Sequence, residues 1–249
     1  MIATILFILG AILGSFLNVV IYRLPKGKSI IFPPSSCPHC GARIKPYDNI
    51  PIVSYIILKG RCRNCGAPIS PRYPIVESIV AFSFLFGYLR YGLSFEYLTF
   101  VLFILLLVPI SFIDFDTMLI PDSIAIPGII IGLTLSFFRG RMYSSILGAV
   151  IGAVVIVTIY YSAKFIYKKE AIGLGDMRLS ALIGSFVGWA SFLITVFIAS
   201  FIGLIYGVII IRKRGGTIKK EIPFGPFLSI GGFIVFIWGR EILRLIYHS

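Results

Sequence analysis

The chain carries ten acidic residues: Asp48, Glu77, Glu96, Asp114, Asp116, Asp122, Glu170, Asp176, Glu221 and Glu241. Two stand apart. Asp114 closes the apolar run "FVLFILLLVPISFID", and Asp176 follows "GLG" and opens the run "MRLSALIGSFVGW". A carboxylate at the edge of hydrocarbon is costly unless paired or solvated, so a functional role is the default reading. Two such groups brought together share one proton, because like charge and partial desolvation separate their titrations. The ionised partner then acts as general base on water, while the protonated one polarises a carbonyl. No other nucleophile competes. The only histidines, His39 and His248, lie in a cysteine-rich segment and at the tail, so the serines lack histidine partners. Other acids have ordinary places. Asp122 follows Pro121 before an apolar run, where a helix N-cap is expected. Glu96 opens an apolar stretch, and Glu170 sits among lysines.

Helical steps of four from Asp176 reach Ser180, Gly184 and Gly188. That is one face built of small residues, which lets another helix approach closely. The expectation is that Asp176 points into a helix–helix seam, and that Gly184 and Gly188 admit the apolar helix of an incoming substrate.

The second chemical signal is sulfur. Cys37-Pro38-His39-Cys40 and Cys62-Arg63-Asn64-Cys65 are two CxxC pairs separated by 21 residues. Each pair delivers two thiolates from one tight turn, and two such turns complete a tetrahedral zinc site with no position open to water. Such a metal is structural. Cys37, Cys40, Cys62 and Cys65 are the expected ligands, and His39 an exposed loop residue. A pair of disulfides is the alternative, and it requires an oxidising compartment. The stretch that holds these cysteines, 23–73, is about fifty residues with few large apolar side chains, so a metal staple is physically expected.

The elements that must position these groups follow from composition. Hydrophobic residues make up 58% of the chain and charged residues 13%. The expected fold is an all-α polytopic membrane protein. Its eight transmembrane helices fall at 2–22, 74–91, 97–113, 123–138, 143–166, 174–190, 192–211 and 226–247, with a small zinc-binding loop domain on the cytosolic side. The first basic residue, Arg23, comes after the first apolar run, so that run reads as an uncleaved anchor. Three regions result: an anchor at 1–22, the zinc loop at 23–73 and a membrane catalytic domain at 74–249. No internal repeat is evident.

The formal charge of +13 does not point to nucleic acid, because the basic residues flank membrane spans and mark topology. With the 23–73 loop in the cytosol, nine Lys and Arg fall in it and nine more in later cytosolic connections. Five remain outside: Arg90, Arg139, Arg141, Arg240 and Arg244. Both termini then face outward.

Six blocks carry a resemblance: "GSFLNVVIYRLP" (14–25), the CxxC pairs with "DNIPIVSY" between them, "RYPIVE" (72–77), "DFDTMLIPD" (114–122), "GLGD" (173–176) and "IPFGPFL" (222–228). In this order they resemble the type IV prepilin leader peptidase and N-methyltransferase family, a group of GxGD membrane aspartyl proteases. The resemblance implies that Asp114 and Asp176 are the catalytic pair. It implies that the substrates are prepilins and pseudopilins of type IV pilus and type II secretion systems, whose short basic leader is cut at the cytosolic face of the bacterial inner membrane. It also implies N-methylation of the new amino terminus with S-adenosylmethionine, an activity associated with the cysteine loop. Arg178 stands where the family commonly has Lys, and Asp48 where Glu is common. No glycine fingerprint for the methyl donor is present, and its binding residues are not identified. Two other readings use the same residues: a proton-coupled transporter with the aspartates as a relay, and a non-enzymatic secretion or pilus assembly scaffold docked through the zinc loop. Mid-span acids are scarce, which disfavours the first. Tolerance of Asp→Asn would mark the second.

Overall fold

The computed structural model describes residues 1–167, 173–213 and 222–247. Helices occupy all eight of the apolar stretches: α1 (Ile2–Arg23), α3 (Arg72–Tyr91), α4 (Phe95–Thr117), α5 (Asp122–Phe138), α6 (Met142–Tyr167), α7 (Leu174–Val187), α8 (Trp189–Lys213) and α9 (Gly225–Tyr247). A short helix, α2 (Val53–Ile57), lies in the cysteine-bearing loop. Among the described residues no strand forms. Two isolated antiparallel bridges, Ser36–Arg43 and Arg61–Pro68, are the only extended pairings there.

Five of the helices, α1, α4, α6, α8 and α9, are long and apolar enough by themselves to cross a membrane. The other three differ for separate reasons. Helix α3 opens with Arg72 and carries Glu77 and Arg90, which dilute its apolar character. Helix α5 has 17 residues. Helix α7 has 14 residues and ends where Gly188 takes φ +82°, a conformation that favours glycine. At 1.5 Å per residue α7 reaches about 21 Å, short of the roughly 30 Å of hydrocarbon.

The chain divides into two compact units, Met1–Pro109 and Ile110–Ser249, with the boundary inside α4. In the first, α1 packs along α3. A Cβ at Gly10 would fall 2.8 Å from the Ala81 Cα, so the two backbones nearly touch. In the second, α7 is the centre, with α5, α6, α8 and α9 around it. Leu179, Leu182, Ile183 and Phe186 of α7 are buried, as are Ser180 and Ser185. Apolar burial of this kind is the main favourable term in folding, and it explains how a helix too short for lipid persists: protein, not lipid, surrounds it. Helix α8 is the opposite case. Phe197, Phe201, Leu204 and Ile205 are exposed, which suits a lipid-facing surface.

Candidate active site and metal centre

Asp114 sits in the last turn of α4 and Asp176 in the first turn of α7. Both are buried, at 5% and 6% exposure. The α4 helix ends because Met118, at φ +54°, returns its N–H to the Asp114 carbonyl at 2.9 Å. The chain then runs through Ile120 and Pro121 into α5. On the other side, Gly173 is the N-cap of α7 and accepts the Asp176 N–H at 3.0 Å. Gly175 lies against Ile120, whose Cβ would be 3.2 Å from an added Cβ. The "IPD" and "GLGD" blocks therefore seat on each other, and the Asp122–Arg178 pair joins the same two helix ends.

A third block completes the site. The Gly225 N–H, at the start of α9, donates to Asp114 Oδ2 at 2.9 Å. A Cβ at 225 would lie 2.5 Å from that oxygen. The "IPFGPFL" stretch was noted in the sequence without a role for this glycine. The signal that would have found it is a glycine where a helix start must approach a carboxylate.

The other acids fall elsewhere. Asp122 is not the N-cap of α5. Pro121 holds that place, with no side-chain cap bond. The Asp122 carboxylate pairs instead with Arg178, two residues beyond Asp176, because a cation on the facing helix offers a better partner than its own backbone. Asp116 is exposed. Asp48 forms a forked pair with Arg63, with Nε to Oδ1 at 2.9 Å and Nη2 to Oδ1 at 2.7 Å. This pairing holds the Arg63 guanidinium above its ordinary range. Glu77 is buried on α3. Glu170, Glu221 and His248 lie outside the described residues.

The small-residue face of α7 is already filled. A Cβ at Gly184 would overlap the Gly148 carbonyl of α6, and one at Gly148 would overlap the Gly184 carbonyl. Gly152 meets Ser180 in the same way at 2.6 Å, and Gly188 meets Ser144 at 2.5 Å. The seam expected from the spacing is present, but its partner is α6. Gly184 and Gly188 do not admit a substrate helix, because α6 occupies the space, with its Gly148 backbone at Gly184 and its Ser144 hydroxyl at Gly188.

The four cysteines gather in the first unit, with all their sulfur atoms within 4.8 Å of one another. Cys37 and Cys65 Sγ are 3.9 Å apart. Tetrahedral zinc with Zn–S bonds of about 2.3 Å has edges of about 3.8 Å, so the donor set fits such an ion. None of the four is in a disulfide. His39 is exposed and outside the cluster. The thiols divide: the Asn64 side chain, followed by the Ala42 backbone, pulls Cys40 down to about 6, while Cys65 is pushed up to about 11, so the support for a metal is the clustering of the four sulfur atoms.

The structure corrects the reading that the chain holds no repeat. "CPHCGARIKP" (37–46) and "CRNCGAPISP" (62–71) share the pattern CxxCGAxIxP. They fold alike. Cys37 N–H donates to Ala42 O at 2.9 Å and Cys62 N–H to Ala67 O at 2.8 Å, while Gly41 and Gly66 return to Cys37 O and Cys62 O, each at 2.9 Å. Both glycines take φ +70°. The pattern is legible in the sequence, and the matched turns show that both copies fold alike.

Two family models match this chain. Residues 8–91 match a model described as the bacterial peptidase A24 N-terminal domain, and residues 100–208 one described as the type IV leader peptidase family. A Pseudomonas putida protein called prepilin leader peptidase/N-methyltransferase is 36% identical over 263 residues, covering 96% of this chain and 91% of the relative. One of the same name from Pseudomonas aeruginosa is 35% identical, covering 95% and 90%. A third, from Myxococcus xanthus, is 38% identical over 86% of this chain and 64% of its own length. No solved structure matches significantly.

Proposed function

This chain belongs to the type IV leader peptidase family, and from there we propose that Asp114 and Asp176 are the catalytic pair of a multi-pass membrane endopeptidase that removes the leader of type IV prepilins or pseudopilins. The observation that carries this is the meeting of two buried carboxylates from α4 and α7 in one unit, with the Gly225 N–H fixed on one of them. The pair shares a proton. The carboxylate takes a proton from water as its oxygen attacks the scissile carbonyl, and the carboxylic acid gives its proton to the carbonyl oxygen. Collapse of the tetrahedral intermediate breaks the C–N bond and passes a proton to the leaving amine. The catalytic region is 74–249, with both aspartates in its 110–249 part.

The distribution of basic residues in 23–73 and the later connections supports a topology with that loop, and the ends of α4 and α7 that bear the aspartates, on the cytosolic side of a bacterial inner membrane and both termini outside. The membrane lipid is the protein's solvent, and no nucleic-acid partner is invoked. Residues 1–22 act as the anchor. Residues 23–73 hold a structural zinc through Cys37, Cys40, Cys62 and Cys65, which fixes the two knuckles relative to each other.

The relatives' name also supports N-methylation of the new amino terminus, with S-adenosylmethionine as the methyl donor. When bound, that donor would supply an electrophilic methyl group to the new amino terminus. The hollow lined by Ile130, Leu133, Thr134, Phe137, Phe138 and Met142 does not fit this donor, since a single hydroxyl cannot satisfy an adenosine and a carboxylate. No residue is assigned to it and no step is routed through it.

The test is mass spectrometry of a prepilin N-terminus after incubation with the purified enzyme and S-adenosylmethionine. Asp114→Asn and Asp176→Asn keep the side-chain shape but can neither take nor give the proton. Each is expected to abolish leader removal while metal content and melting behaviour stay at wild-type values. Processing by either variant near the wild-type rate would end the assignment.

A further inference from the structure

Three stretches of the first unit take no part in the aspartate chemistry: the segment around Gly14 to Asn18, the one around Ile52, and Arg72 to Glu77. The structure brings them together. Gly14 of α1 lies so close to α3 that a Cβ would fall 2.7 Å from the Glu77 Cα. One turn further, buried Asn18 donates through Nδ2 to the Tyr73 carbonyl at 3.0 Å. Glu77 is 7% exposed, and its Oε2 accepts the Ile52 backbone N–H at 2.7 Å.

Ile52 is the unusual member. It precedes α2 with φ +63° and ψ −52°, a conformation that is rare for a β-branched residue. Such backbone persists only where its surroundings over-determine it, and it gathers at functional sites. Here the surrounding group is a buried acid reaching out of the α1–α3 pair. Burying a carboxylate is expensive, and neither the four thiolates nor the aspartate pair of the other unit needs this one. Ile52 also lies between the two cysteine knuckles, so whatever holds it sets where the whole metal loop sits on the helices.

We propose that Glu77 is a positioning residue for methyl transfer: by clasping the Ile52 turn it docks the metal-bearing loop on the α1–α3 pair, and methylation depends on that docking while leader cleavage does not. The inference rests on the methyltransferase reading of the second activity. It is tested on the full-length enzyme with a prepilin substrate and S-adenosylmethionine, reading cleavage and methylation separately, together with hydrogen exchange of the segment around α2. Glu77→Ala is expected to lower methylation by about tenfold or more, with cleavage within about twofold and metal content unchanged. Its α2 segment should exchange faster. Glu77→Gln retains an oxygen that accepts the Ile52 N–H, so it should restore both protection and most of the methylation.

Wild-type methylation or unchanged exchange in Glu77→Ala would overturn the proposal. So would joint loss of both activities, which would make the carboxylate a general prop of the fold. Protection without methylation in Glu77→Gln would also overturn it, by giving the acid a chemical role. If the wild-type enzyme cleaves but does not methylate, the methyltransferase reading fails, and the exchange comparison still judges the docking on its own.

Discussion

At the scale of single residues, the position that separates this site from a pair of acids in a membrane is Gly225. Its N–H reaches Asp114 Oδ2 at 2.9 Å only because no side chain stands between them. A methyl group there would meet the oxygen at 2.5 Å, so either the start of α9 or the carboxylate must move. Catalytic groups displaced by even an ångström lose much of their rate. Gly225→Ala is therefore expected to lower kcat for leader removal by about tenfold or more, equivalent to ~1.4 kcal/mol of transition-state stabilisation, with KM little changed. Steady-state kinetics on a prepilin peptide check this, and an unchanged kcat would show that the contact plays no part. The Asp122–Arg178 pair bridges half-exposed to exposed groups, so its loss should matter far less.

Among the elements, the α6–α7 seam holds Asp176 in place. Gly148 and Gly152 on one helix interlock with Gly184 and Ser180 on the other, backbone against backbone. Gly184→Leu should destabilise the protein by about 1–3 kcal/mol through overpacking and should slow cleavage by moving the first turn of α7. Gly207 on α8 is the control. Nothing stands within 4 Å of a Cβ placed there, so Gly207→Ala should leave melting unchanged or slightly raise it. Thermal unfolding in detergent compares the two, and equal melting would mean that the seam yields freely. The sequence announced this seam because a four-residue spacing of small side chains is local. The gathering of the cysteines was legible for the same reason, and the burial of Asp114 and Asp176 from their places at the edges of apolar runs. The hold on Asp114 by Gly225, 111 residues away, was not legible, nor was the grip of Glu77 on Ile52. Those contacts are made by tertiary packing, which no local pattern encodes. The choice of α6 rather than a substrate as partner for Gly184 was hidden likewise, since spacing reveals that a face is receptive but not what fills it.

For the whole molecule, the cysteines and the aspartates belong to different compact units. Stripping the metal with a chelator should therefore loosen the loop while leaving leader removal within about twofold, and should lower methylation by about tenfold or more, because metal binding is coupled to folding of the loop. Cys37→Ser and Cys62→Ser should behave alike, since they hold equivalent places in the two knuckles. Metal analysis with the two-product mass assay checks both statements, and loss of cleavage on chelation would refute the separation. The proposed hydrolysis also has a supply problem, since its second reactant is water and the proposed substrate presents its bond beside an apolar helix. The shortness of α7 resolves it. Its 14 residues fall about 9 Å short of the hydrocarbon slab, and four helices rather than lipid form its surroundings. Asp176 stands in the first turn of this short helix, so under the proposed function the shortness of α7 would let water reach the carboxylate from the membrane surface without being carried through oil.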